Sequence, residues 1–166
     1  MSFDLYAFRV RPGFTLEDAV MMDEPEEDGE SEANLPRETL APAQMRAVAD
    51  ALLACDATLE QHDEGDSISL TGQEGCMWEI TRLGASLHIP YGVSSNAMVN
   101  IAGHAGKSVL ALRDMGFKVW DPQADCEVTS AGTIEQSLKS SVQAVTDVVK
   151  PSSDVEEQIK RWWKLW

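Results

Sequence analysis

Apolar residues along this chain change their spacing at Gly and Pro, and each change marks an element. Between Phe3 and Val10 they alternate, with Leu5, Ala7 and then Arg9 on one side and Tyr6, Phe8 and Val10 on the other. Aromatic and β-branched residues on both faces predict a central strand over 3–10, ended by "RPG" (11–13). After Pro42, Met45, Val48, Ala49, Leu52 and Leu53 recur at helical spacing and predict an amphipathic helix over 42–55, with proline in its first turn. Alternation returns in "SISLTG" (67–72), "CMWEITRL" (76–83) and "ASLHIPYG" (85–92), three strands in a meander; the join at Leu83-Gly84-Ala85 suits a tight hairpin.

A second long helix is predicted over about 95–115, with Ser95 or Asn96 as cap and Gly116 as stop. "FKVWDP" (117–122) predicts a fifth strand. Over 131–149, Ile134, Leu138, Val142, Val145 and Val149 form an apolar stripe behind a Thr133–Gln136 capping box, which predicts a third helix. Pro151 breaks it, and Ser153 with Glu156 opens a short C-terminal helix. Two stretches are left as polar connections. One is 17–36, with a short helix around Leu16–Met22; the other is "EQHDEGD" (60–66). The order predicts a single α+β domain: a mainly antiparallel sheet of about five strands, two to three long helices packed on it and a short C-terminal helix.

Charge adds a polarity to this outline. The net charge is −15 over 166 residues, and residues 1–66 hold 17 acids against 4 Arg and no Lys. The stretch 17–36 has nine acids and no base, with Pro25, Gly29 and Pro36 as breakers, so a mobile acidic loop is expected there. Such a field repels nucleic acid and anionic lipid surfaces and steers basic partners inward. Three widely spaced cysteines, Cys55, Cys76 and Cys126, form neither a disulfide framework nor a C-x-x-C pair. "MSFDLYAFRV" has no apolar signal region and no run approaches the roughly 18 apolar residues of a membrane span, so the cytoplasm is the expected location.

The most direct chemical suggestion is "IAGHAGKSVLAL" (101–112), where Gly106-Lys107-Ser108 imitates a phosphate-binding loop. The motif G-x-x-x-x-G-K-[ST] would need glycine at 101, which is Ile, and a helix beginning at the lysine. Here Met98, Ile101, Ala102, Ala105, Val109 and Leu112 carry the helical stripe straight through. Gly103 and Gly106 are then expected to form a notch against which another element packs. His62, His88 and His104 lack metal-ligand spacing, Cys76 has no local basic companion, and no pair of carboxylates stands out. No metal, no cofactor and no enzymatic activity are therefore expected.

Two features point to recognition instead. The first is the acidic set Asp23, Glu24, Glu26, Glu27, Asp28, Glu30 and Glu32, joined by Asp63, Glu64 and Asp66. The second is "IKRWWKLW" (159–166), where Val155, Ile159, Trp162 and Trp166 share a helical stripe with Trp163 beside it. Trp is costly to leave in water, so this tail either clasps the protein's own core or meets a partner or second copy. Lys160, Arg161 and Lys164 raise a membrane-surface role that the overall acidity argues against.

The opening "MSFDLYAF", the acidic spacer, the meander ending in "IPYG" and "MGFKVWDPQ" after the second long helix together resemble a group of small bacterial proteins. These begin M-S-[YF]-D-L-x-x-F, carry [YW]-D-P-Q, and are associated with the immunity partners of toxins delivered between bacteria. The resemblance covers roughly residues 1–123. It implies a cytosolic immunity protein that neutralises a cognate toxin, its acidic surface covering a basic cleft such as that of a nuclease. A small enzyme with a dispersed carboxylate and histidine site, and a structural homodimer, stay open beside it.

Overall fold

The computed structural model describes residues 2–22, 35–90, 93, 95–130 and 132. The predicted helix 131–149 and the C-terminal helix 151–166 lie outside the described residues, apart from Gly132. In chain order the elements are strand β1 (Ser2–Phe8), helix α1 (Leu16–Val20), helix α2 (Pro42–Cys55) and strands β2 (Glu60–Asp63), β3 (Ile68–Thr71), β4 (Met77–Thr81) and β5 (Gly84–Pro90). Helix α3 (Ser95–Asp114) and strands β6 (Lys118–Asp121) and β7 (Cys126–Glu127) follow. Among the described residues no helix is long and apolar enough to cross a membrane.

The architecture is α+β, but the sheet has seven strands, in the order β2-β3-β4-β5-β1-β6-β7, with every pair antiparallel. The expected count of about five is corrected by β2 and β7. β2 occupies the first four residues of the stretch expected as a polar connection, and all four are exposed. Its side chains carry no alternation; the strand exists because its backbone pairs with β3, Glu60 opposite Thr71 through Asp63 opposite Ile68. Gly65, at φ +76°, closes the turn between them, a conformation that costs glycine little. β7 is two residues long, below anything periodicity can report.

β1 sits in the middle of the sheet, as its two-sided pattern predicts, between β5 and β6. Phe3, Leu5 and Ala7 point to the face where Ile89, Leu87 and Ala85 stand opposite. α2 and α3 cover that face: Met45, Val48, Ala49 and Leu52 from one and Ile101, Ala105, Val109 and Leu112 from the other join the strand residues in one core. Burying these side chains stabilises the fold by about 1.5–3 kcal/mol for each large aliphatic or aromatic group.

The helix ends are tied to the sheet. Gln44 reaches back to accept from the Ala41 N–H (2.7 Å), beside Pro42 at the first turn of α2. α3 stops at Gly116, φ +87°, and the Phe117 N–H returns to the Leu112 carbonyl (3.0 Å). Arg9 then reaches from the end of β1 to the Met115 carbonyl (2.8 Å) and lies over the Phe117 ring. At the short α1, Thr15 and Asp18 form a capping box; the Thr15 N–H and hydroxyl hold the Asp18 carboxyl below its usual range.

The turn "WDPQ" ends β6 and also links it to β1. Asp121, fully buried, accepts from the N–H groups of Gln123 (2.8 Å) and Ala124 (3.0 Å) through Oδ1. Continuing the β1–β6 register places Pro122, which has no N–H, opposite Asp4. With its nitrogen turned inward, the Gln123 carboxamide donates to the Asp4 carbonyl at 2.9 Å, supplying the missing donor. Gln123→Leu is expected to destabilise the protein by roughly 1–2 kcal/mol in urea denaturation, because the Asp4 carbonyl loses its partner.

A second test concerns the hairpin between β4 and β5. Gly84, at φ +146°, lies so close to β1 that a Cβ there would overlap the Ala7 carbonyl oxygen. Gly84→Ala is expected to cost about 2 kcal/mol or more. An unchanged urea midpoint would contradict this close approach.

Candidate functional site on the open face of the sheet

The alternation that buries one face of the sheet under α2 and α3 leaves the other without either long helix. The strand registers place Ser69, Glu79, Ser86, Tyr6, Trp120 and Glu127 side by side across it. The neighbouring row runs Glu60, Thr71, Met77, His88 and Asp4. Tyr6 is 41% exposed, and Trp120 and Met77 are half-buried. An exposed tyrosine beside a tryptophan in the middle of a sheet offers a large contact area at small conformational cost.

His88 points outward, as strand alternation predicts, with Nδ1 2.8 Å from Asp4 Oδ1. The Ser2 hydroxyl donates to the same carboxylate at 3.0 Å. The carboxylate thus stands between hydroxyl and imidazole, an order that fixes side chains but does not activate a serine.

One end of this face deepens into a groove of about 410 Å³, lined among others by Tyr6, Phe8, Met22, Arg37, Glu79 and His88. Phe8 is buried there beneath the Arg37 guanidinium, 4.5 Å from the ring centre. Arg37 also donates to the Ala19 carbonyl at the end of α1 (2.8 Å). The Arg11 N–H meets the Pro36 carbonyl and the Glu38 N–H meets Arg9, both at 2.9 Å. Met22, at the start of the acidic stretch, and Arg37, just after its end, both line the groove, while Leu35 is buried. Asp23, Glu24, Glu26, Glu27, Asp28, Glu30 and Glu32 themselves lie outside the described residues, as do Trp162 and Trp163.

The electrostatics of the face come from the same side of the sheet. Residues 47–81 contain eight acids and neither Lys nor Arg, and this span supplies Glu60 and Glu79. At the opposite side Lys118 is paired with Glu127 at 3.0 Å. Asp63, Glu64 and Asp66 come together at the β2–β3 turn, where they line a separate cleft of about 950 Å³ beside the first turn of α2. Arg46 and Arg82 share that cleft. The two acidic stretches named from the sequence therefore open on different parts of the surface.

The helix layer holds a further polar cleft, about 80 Å³, lined among others by Asp56, Cys76, Asn100, His104 and Ser108. His104 Nδ1 contacts the Cys55 carbonyl at the end of α2 (3.0 Å), with Asp56 Oδ1 at 3.7 Å. Asp56 Oδ1 accepts from the Thr58 N–H and hydroxyl as well. These bonds close the end of α2. Lys107 projects to solvent from mid-helix and Ser108 is buried, which removes any phosphate cradle at Gly106-Lys107-Ser108. Among the described residues no group of three or more His, Cys, Asp and Glu is placed to hold a metal ion.

The sequence reading passed over Tyr6, Trp120, Asp4, Glu60 and Glu79. The available signal was the second face of each alternating strand, where polar and aromatic residues recur. No known family, no curated protein and no solved structure matches this chain.

Burial, then the charge of Asp56, push the Cys76 thiol from 9.0 to about 12. The folded protein thus holds the thiol protonated while the unfolded chain ionises, so stability falls as pH rises from about 9 towards 12. Cys76→Ala is expected to flatten that fall by up to ~1.4 kcal/mol per pH unit relative to the parent. Urea denaturation at several alkaline pH values measures it; parallel slopes would show that the thiol is not held neutral.

Proposed function

We propose that this protein is a binding protein whose open sheet face docks on a basic protein surface, and that its partner is a toxin it neutralises. The observation that carries the reading is the acid-framed aromatic face. Tyr6 and Trp120 stand at its centre, Glu60, Glu79 and Asp4 lie around them, and Met22 and Arg37, which flank the acidic stretch, line its groove. Aromatic anchors supply affinity where water is excluded, while surrounding charges steer the encounter and select the partner. A basic active-site cleft, such as that of an enzyme acting on polyanions, is the complementary surface. The resemblance of "MSFDL" and "WDPQ" to bacterial immunity proteins points the same way, and Gln123 joins these two motifs through the Asp4 carbonyl. On this reading the protein acts in the cytoplasm by occlusion, without catalysis or cofactor.

Co-purification of the tagged full-length chain from its own cells tests the proposal. The expected result is one stoichiometric basic protein, released as ionic strength rises, whose toxicity co-expression of this chain suppresses. Tyr6→Ala is expected to weaken the complex by about 30-fold or more, and Glu79→Lys to slow association by roughly 10-fold, each with an unchanged melting temperature. Recovery of no basic partner, or toxicity that co-expression leaves intact, would sink the proposal.

A further inference from the structure

We propose that the outer edge of β2 takes up an extended, basic segment of another protein as a further strand of the sheet. β2 ends the sheet, and among the described residues no strand lies along its outer side. The phase of its pairing shows which backbone groups are left over. The Glu64 N–H bonds to the Ser67 carbonyl across the turn (3.0 Å). In an antiparallel pair, positions bonded to the neighbour alternate with positions whose N–H and C=O point away. His62 and Glu60 therefore follow Glu64 in bonding to β3, opposite Ser69 and Thr71, and Gln61 and Asp63 direct their backbone groups outward. Such an edge is a template for an added strand. The opposite edge of the sheet, β7, is only two residues long.

Charge decides which strand can add. A second copy would satisfy Gln61 and Asp63 of both chains in a twofold register with Gln61 opposite Asp63. That register sets Glu60 opposite Glu64 at both ends. Like charges directly opposite destabilise a strand pair, so the edge rejects its own copy. The same groups favour a cation. Glu60 shares a row with Asp4 and His88 on the open face, and Asp63 shares one with Ile68 and Ile80 on the helix side. An added strand thus meets a carboxylate on each side of the sheet. The Asp63 carboxylate accepts from the Gln61 carboxamide (2.8 Å), a neutral donor that leaves its charge in place. In the cleft beside the turn, Asp63, Glu64 and Asp66 outnumber Arg46 and Arg82. The bonding groups lie in the plane of the sheet, so this contact uses neither Tyr6 nor Trp120 and stands or falls separately from the proposed partner face.

Residue-resolved hydrogen exchange on the full-length protein tests it, with a capped decapeptide alternating lysine and threonine as the probe. In the free protein the Gln61 and Asp63 amides are expected to exchange about tenfold faster than those of His62 and Glu64. The probe should slow the faster pair by about tenfold, and by less as ionic strength rises. A probe N-methylated throughout keeps the charge but loses every N–H donor, and should give no protection. A decapeptide with glutamate in place of lysine should give none either. Tyr6→Ala should leave the protection intact; its loss there would place the probe on the open face and overturn the proposal. Equal protection by the N-methylated probe overturns it too, since charge alone would then hold the peptide. So does slow exchange of Gln61 and Asp63 in the free protein, since the chain itself or a second copy would then occupy the edge.

Discussion

The structure depends on β1 being hydrogen-bonded along both edges. Its register with β5 runs from Ser2 opposite Pro90 to Ala7 opposite Ala85, and with β6 from Tyr6 opposite Trp120 to Phe8 opposite Lys118. Among the described residues no other strand joins the β2–β5 meander to the β6–β7 hairpin. The strictness of the Gly84 contact follows from this: the β4–β5 turn presses on the Ala7 carbonyl because β5 pairs with β1 over its full length. Arg9, Arg37 and Gln123 are further ties from the two flanking halves to the same strand or its continuation.

A seven-stranded sheet with two long helices on one face has an unequal pair of surfaces. The helix side is apolar and continuous, running from Ile68 and Leu70 through Trp78, Leu87 and Leu5 to Val119. The other side combines aromatics, carboxylates and an Asp4–His88 pair at 2.8 Å. An antiparallel sheet tolerates one wet face, so this composition needs no second layer for stability. It also leaves the aromatics available, which is the physical basis for assigning recognition to that face. The cleft around His104 differs in kind. There His104 and Asp56 bond to the end of α2 and to Thr58, and so organise the helix layer.

How far the fold could be read in advance depended on what each element buries. α2 was legible to the residue because Pro42 sets its start and Met45, Val48 and Leu52 face the core at 3.6 spacing. β1 was legible as central because both of its faces carry large apolar groups. β2 was not, since Glu60, Gln61, His62 and Asp63 are all exposed and an edge strand is specified by backbone pairing. The candidate site was missed for a related reason. Alternation announces that a sheet has two faces, but sheet order and helix placement decide which stays uncovered, and those are long-range properties. Net charge does not separate Glu79, on the open face, from Asp63, in the cleft by α2.

The place of β1 in the sheet has a consequence for biosynthesis. This strand is made before the other described strands, while its two neighbours lie in the second half of the chain. At ordinary translation speeds it waits on the order of ten seconds before β5 exists, and longer for β6. Meanwhile the β2–β5 meander is complete in sequence and can pair, leaving β5 with one bare edge. The nascent protein thus carries two unsatisfied strand edges that the finished sheet hides at its centre. Pairing of β1 with β5, and then with β6, closes these edges, and until then they are open to wrong pairing.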